Sequence, residues 1–184
     1  MSLARVASRC AKATRSRSAA RFRRLWRAQS WRSFAASGPG LPAIAVADVT
    51  AAIAAVRQGV RDGAVSAAHD ISDGGLACAL AEMAIAGGVG VQADLDELVE
   101  QRGCSGETAL FGEAPGGFLL AGGREEIAAL ADDRGDVFVI GAASGARVSL
   151  SAGETEIEVA LEEAEGAWNS LAQRVEGVTP AAHQ

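Results

Sequence analysis

Apolar residues recur along this chain at two spacings, and the spacing changes from segment to segment. In "VADVTAAIAAVRQGVRDG", Val49, Ile53, Val56 and Val60 return every three or four residues, the interval that lines one face of a helix. Asp48 or Thr50 stands where a helix cap belongs, and Gly63 marks the stop. Residues 64–71, "AVSAAHDI", are mostly apolar and of strand length. The loop "SDGG" then opens a second helical pattern, with Leu76, Leu80 and Met83 at i, i+4 and i+7, and the glycine pair 87–88 ends it. Residues 89–95, "VGVQADL", alternate as a strand does, and "DELVEQRG" reads as a short acidic helix. In "ETALFGEAPGGFLLAGG" a turn and a Gly/Pro loop precede a strand at 118–121. "REEIAALADDRG" forms a helix on Ile127, Leu130 and Ala131, followed by a strand at 137–140. Two alternating strands, 147–150 and 155–159, flank the turn "SAGE", and a helix at 161–175 closes the pattern.

Strands and helices thus interleave, with a hairpin late in the chain. That order predicts an α+β fold of mixed α/β layers, a mixed sheet with helices packed on it. The length suits one domain, placed at 41–180, with "SGPGLPAI" (37–44) as the linker before it.

Charge divides the chain where the pattern does. The net charge of −6 conceals a leader, 1–40, with nine Arg, one Lys and no acid, and a remainder with seven Arg and all 23 acids. Three readings of the leader stay open. It has the Arg- and Ser-rich, acid-free composition of an organelle-targeting peptide. It could be a nucleic-acid-binding arm, with Arg for phosphates and Trp26 or Trp31 for stacking, although a nucleic-acid partner is not expected. It could also be a disordered basic stretch from out-of-frame reading of GC-rich DNA, which the single Lys of the whole chain suggests.

No run approaches the ~18 apolar residues of a membrane span. Cys10, Cys78 and Cys104 are widely spaced and odd in number, which makes neither a zinc pair nor a disulfide framework and suits a reducing, cytoplasmic compartment. Cys78 falls within a helical pattern as a small core residue, while Cys104 lies in a Gly/Ser loop where a reactive thiol is the alternative to an inert one.

The candidate chemistry sits in "HDISDGGL". A helix start leaves four N–H groups without intrahelical partners, and the helix dipole adds positive charge there. Gly74 and Gly75 let an anion approach that backbone, and Asp70 and Asp73 offer oxygen to a phosphate-bound Mg²⁺. The plainer alternative has Ser72 or Asp73 as the cap, the glycines allowing tight strand-to-helix packing, and His69 bonded locally. No GK[ST] follows, so this is not a P-loop. Glu113 in "LFGEAPGG" is a loop acid, either ligand-facing or solvated. His69 and His183 leave little material for a His-based triad, and Glu154 to Glu165 read as a solvated face.

These segments also resemble a known family. "AHDISDGGLACALAEMA" (68–84), the lead-in "LPAIAVADVTAAIAAVRQGVRDGAV", "LFGEAPGGFLLAG" and the closing "AWNSLAQRVEG" are similar, in order and spacing, to the C-terminal domain of phosphoribosylformylglycinamidine synthase. That enzyme belongs to the aminoimidazole-ribonucleotide-synthetase superfamily. The resemblance runs over about 41–179, while 1–37 resembles nothing in it. It implies a PurM-like C-terminal domain. The activity it implies for the parent enzyme is ATP-dependent amidation of formylglycinamide ribonucleotide with glutamine-derived ammonia, in purine biosynthesis.

The parent has two pseudo-symmetric halves, and this domain would close the second. By internal analogy Asp70 corresponds to a Mg²⁺-binding aspartate of the first half. Ser72, Asp73, Gly74 and Gly75 then form a nucleotide or phosphate loop, with Glu113 beside it. Gly117 departs from the pattern, which has Arg there. The family's catalytic histidine, ATP-binding lysine and glutaminase cysteine belong to regions with no counterpart here, so no catalytic residue is assigned.

ATP or ADP and Mg²⁺ are therefore expected of the parent, and this chain is expected to be inactive alone. Its expected partners are the remaining synthetase domains or a partner chain, and such a domain should expose an apolar face. Thiamine-monophosphate kinase, selenophosphate synthetase and the hydrogenase-maturation protein have related D-x-[ST]-x-G-x-L loops. The continuation "SDGGLA…ALAEM" together with "LFGEAPG" favours the purine enzyme. A non-catalytic nucleic-acid-binding or interaction protein acting through the leader is the reading from a different class.

Overall fold

The computed structural model describes residues 2–6, 46–113, 116–132 and 137–176. Seven strands form one mixed sheet in the order β2-β4-β1-β5-β3-β6-β7. In chain order the strands are β1 (Ser2–Val6), β2 (Val65–Asp70), β3 (Val91–Asp94), β4 (Phe118–Gly122), β5 (Val137–Ala143), β6 (Arg147–Ala152) and β7 (Thr155–Ala160). The helices are α1 (Val46–Arg61), α2 (Gly75–Gly87), α3 (Asp96–Arg102), α4 (Gly106–Phe111), α5 (Arg124–Asp132) and α6 (Leu161–Glu176). The pair β3–β6 is parallel and the other neighbours are antiparallel.

The expected α+β layers are present, and period-two patterning decides which side chains enter which layer. On one face Leu119, Ala121, Phe138, Ile140, Val91, Ala93, Val148 and Leu150 pack with α2, α3 and α4 in the larger core. On the other, Val65 and Leu120 meet Ala52 of α1 and Ile127 of α5 in a smaller one. Phe118–Gly122 is buried on both faces, as a strand covered by two helical layers must be. The outward residues of β3, β6 and β7 are Gln92, Asp94, Ser149, Ser151, Glu156 and Glu158, so that end of the sheet turns a polar face outward. Glu154, Glu156, Glu158, Glu162, Glu163 and Glu165 are exposed, as the acidic pattern predicts.

Three local outcomes differ from the sequence expectations. First, α1 buries its aliphatic stripe only in part: Val49 and Val56 are half-buried, with Val56 packed on the smaller core, while Ile53 and Val60 are exposed. Its buried positions are Ala52, Ala55 and Gly59, whereas Val46, Ile53 and Val60 are 71%, 43% and 50% exposed. Small residues let the helix axis approach β2 closely, which turns the larger side chains aside. Asp48 and Thr50 lie inside this helix rather than capping it, and Thr50 Oγ1 donates to the Val46 carbonyl. Second, "GETALF" is a helix, α4, where a turn was expected; the Ser105 hydroxyl caps it by accepting from the Thr108 N–H.

Third, the basic leader is not wholly outside the fold. Its residues Ser2–Val6 form β1, between β4 and β5. A run with three apolar positions in five was too short to stand out in an Arg-rich segment, and its pairing partners lie more than a hundred residues away. Cys10, Trp26, Trp31 and His183 fall outside the described residues, as do the linker and the rest of the leader.

Candidate functional site

The two segments singled out in the sequence meet at one end of the sheet. The cause is strand pairing: β2 runs antiparallel to β4 with Asp70 opposite Phe118, so the loop leaving β2 and the loop entering β4 emerge side by side. The Ile71 N–H donates to the Gly117 carbonyl at 2.9 Å. The Gly74 N–H donates to Glu113 Oε1 at 3.0 Å, a contact across 39 positions of sequence. A carboxylate from "LFGE" is therefore held against the positive end of α2.

The glycines have separate reasons. Gly74 is the residue before α2 and has φ 78°, and a Cβ on it would run into Cys78 Sγ. Gly75 has φ 68°, and a Cβ there would stand 2.7 Å from the Phe111 carbonyl carbon. That close approach lets α2 start directly against the end of α4, a helix-to-helix contact where strand-to-helix packing was expected. The expected side-chain cap is corrected, however. Neither Ser72 nor Asp73 caps α2. With Gly74 in a left-handed conformation, Ser72 contributes its carbonyl to the Gly75 N–H at 3.1 Å instead. The N–H of Gly74, the residue before the helix, is taken by the distant Glu113.

Gly117, where the resembled pattern carries Arg, is buried, and a Cβ on it would lie 3.2–3.3 Å from the Ile71 side chain. A larger residue there would have to move Ile71, which is itself buried.

Asp70, Ser72 and Asp73 are exposed around this junction. Among the described residues no three His, Cys, Asp or Glu side chains are grouped to hold a metal ion. The donors present fit a Mg²⁺ that arrives on phosphates and takes one or two protein carboxylates, not a cage made by the chain alone.

His69 is half-buried on the α2 side of β2. Its Nδ1 lies 2.6 Å from the Asp70 backbone oxygen, the local bond expected, and its Nε2 lies 3.3 Å from Glu82 Oε2 on α2. Glu82 was not foreseen; it sits about two helical turns along an otherwise apolar pattern, where only tertiary contact reveals its partner. Cys78, one turn into α2, is half-buried, and burial pushes its thiol up from the ordinary value, with the Glu82 and Glu113 carboxylates pushing the same way. This is the opposite of an activated thiol. A groove of about 670 Å³ beside His69 and Glu82 runs between α2 and the sheet, lined also by Ala67, Met83, Val89 and Trp168. Trp168 is 56% exposed at its rim.

The chemical capacity of the junction follows. It offers backbone donors at a helix N-terminus, one of them now held by Glu113, and exposed carboxylates nearby.

Comparison with known proteins adds a family and a set of relatives. The family model "AIR synthase related protein, C-terminal domain" matches residues 28–153. A Chelativorans sp. protein named phosphoribosylformylglycinamidine synthase subunit PurL is 39% identical over 121 residues, covering 61% of this chain and 16% of that protein. The protein of the same name from Methanosarcina barkeri is 38% identical over 121 residues, covering 65% and 16%. The chain thus spans about a sixth of these curated relatives. Among solved structures, "T. maritima PurL complexed with FGAR" is similar at TM-score 0.58 and 16% identity, covering 64% of this chain and 21% of that one. "T. maritima PurL complexed with ATP" is similar at 0.54, with 16% identity and coverage of 64% and 21%. At that identity the likeness is one of fold.

Proposed function

From the membership of this chain in the family of AIR synthase related proteins, C-terminal domain, we propose that it serves as one domain of a phosphoribosylformylglycinamidine synthase and acts only with the rest of such an enzyme. The observation that carries the proposal is the bond from Gly74 to Glu113, which joins "SDGG" to "LFGE" at the start of α2. Both motifs belong to the resemblance, and together they make one junction. The relatives named for this activity support the reading, and so does their length, several times that of this chain.

In this reading the junction is an anion-responsive joint at a domain boundary. An arriving phosphate competes with the Glu113 carboxylate for the Gly74 N–H, because both want the same donor and the same helix dipole. Asp70 is the residue to meet a Mg²⁺ carried by that phosphate. The metal's contribution would be to neutralise phosphate charge. Positioned cations and a nucleotide cradle are needed for phosphoryl transfer, and in this reading the other domains supply them. The exposed stripe Val46, Ile53 and Val60 on α1 is the apolar face through which they attach.

The test uses a curated relative from which the matching domain has been deleted. Addition of this chain should restore ATP-dependent amidation of formylglycinamide ribonucleotide, and Asp70→Asn should lower the restored rate. Absence of both association and restored activity at micromolar concentrations would refute the proposal. Amidation by the purified chain alone would refute the need for partner domains. Binding of ATP with Mg²⁺, measured by calorimetry on the restored complex, should weaken when Mg²⁺ is withdrawn.

A further inference from the structure

The strand that completes the sheet lies outside the family match. The match begins at residue 28, and β1 is Ser2–Val6. Yet β1 occupies the middle of the sheet, antiparallel to β4 on one side and to β5 on the other. Strands β4 and β5 are not neighbours and are joined only through β1. Without it the sheet would fall into two parts, β2-β4 and β5-β3-β6-β7.

That division would be costly. The residues flanking the gap are among the most buried in the molecule, with Leu119 at 0%, Leu120 at 1% and Phe138 at 5% exposure. Two rows of backbone N–H and C=O groups would face a gap inside the protein, and each unpaired buried group costs about 1–3 kcal/mol. A strand must therefore fill the position. Pairing on both edges is made by main chain, which any extended segment free of proline can supply.

The register makes the same point. β1 keeps continuous pairing with β4 from Ser2↔Gly122 to Val6↔Phe118, and accommodates β5 through a shift between Leu3 and Ala4. Residues 7–45 then separate β1 from α1. At roughly 3.3 Å per residue they can span more than ~100 Å, well beyond the diameter of a domain of this size. The covalent connection thus does not oblige β1 to enter the sheet of its own chain.

We propose that the space between β4 and β5 is a strand-acceptor slot, and that its occupant is exchangeable with Ser2–Val6 of a second copy of the chain. The exchange makes and breaks no covalent bond. Intrachain occupancy is favoured when copies are dilute, because the covalent connection holds the strand at an effective concentration of about 1 mM. Exchange therefore appears when the same segment is offered in trans at that level or above, or when copies refold together.

The experiment uses the full chain with Cys10, Cys78 and Cys104 changed to Ser, and reads disulfide capture at the register pair Ala4↔Val139. Val139 is 38% exposed, so a cysteine there is reachable by oxidant. The variant carrying Ala4→Cys and Val139→Cys should cross-link within one chain when refolded dilute. It should form cross-linked dimers when refolded near 1 mM, the effective concentration above. A second variant carries Val139→Cys with Ala4→Pro, which removes a ladder donor from its own strand. It should capture a peptide of residues 1–8 bearing Ala4→Cys, and capture at least tenfold less of the same peptide with Pro at position 3.

Absence of the intrachain cross-link overturns the placement of β1 in the slot. Cross-linking confined to single chains at every concentration, without peptide capture, overturns the exchange. Equal capture of the two peptides overturns main-chain pairing as its basis. If the Ala4→Pro variant fails to fold, the concentration series on the double-cysteine variant still decides the question.

Discussion

Replacing Glu113 tests how the candidate site is assembled. Its carboxylate accepts the Gly74 N–H at 3.0 Å, at the residue before α2, where no side chain caps the helix. Loss of a hydrogen-bond acceptor costs about 1 kcal/mol, and a favourable charge at a helix N-terminus adds ~0.3–1 kcal/mol before screening. Glu113 is exposed, so the lower part of the charge term applies. Glu113→Ala should therefore lower stability by about 1–1.5 kcal/mol, or about 4 °C in Tm for a domain of this size. Glu113→Gln keeps an acceptor without the charge and should lose less than half of that. The same carboxylate is one of three causes that raise the Cys78 thiol, after burial and Glu82. Both variants should move Cys78 titration down toward its ordinary value without reaching it. The assays are thermal melts and the pH dependence of alkylation by iodoacetamide, in a background with Cys10 and Cys104 changed to Ser. Unchanged melts in both variants together with unchanged Cys78 alkylation would refute the account of the junction. Salt divides the terms further: 1 M salt should reduce the difference between Gln and Glu, and leave most of the difference between Gln and Ala.

Two further predictions concern stability and association. Because folding raises the Cys78 thiol above its unfolded value of 9.0, the folded state holds that proton more tightly. The associated stability is complete below about pH 8 and is lost as pH climbs past 9 toward the folded value. Cys78→Ala should flatten the alkaline part of a stability-versus-pH curve; an identical slope from pH 8 to 10.5 in variant and parent would count against it. The double substitution Ile53→Glu and Val60→Glu acts on side chains 43% and 50% exposed and should change stability by no more than about 1 kcal/mol, while shifting sedimentation toward monomer. A loss above about 3 kcal/mol would mean that α1 buries this stripe after all.

Much of the molecule could be read from the chain without coordinates, because the signals concerned are local. The strand at 65–70, the helix ended by Gly88, the β6–β7 hairpin and the closing helix are each specified by residues within a few positions of one another. Period two against period three or four separates strand from helix, and a left-handed glycine stops a helix wherever it stands. The motifs "SDGG" and "LFGEAPGG" were visible for the same reason, and their resemblance to one family required no geometry.

What only the tertiary structure decided was direction and partnership. Helical periodicity identifies an apolar stripe but not the surface that receives it. On α1 the close approach to β2 favours Ala52, Ala55 and Gly59, so Val56 packs only partly on the core and Ile53 and Val60 are left toward solvent. No property of Ser72 or Asp73 indicates that the Gly74 N–H is taken by Glu113, because that contact depends on β2 and β4 lying antiparallel. β1 is the clearest case. Five residues in a basic leader carry almost no strand signal of their own, and they become a strand because β4 and β5 present two unpaired backbone edges at the spacing of one chain. Local sequence sets what each segment can be. Hydrogen-bond satisfaction and close packing, which join residues far apart in the chain, select what it is.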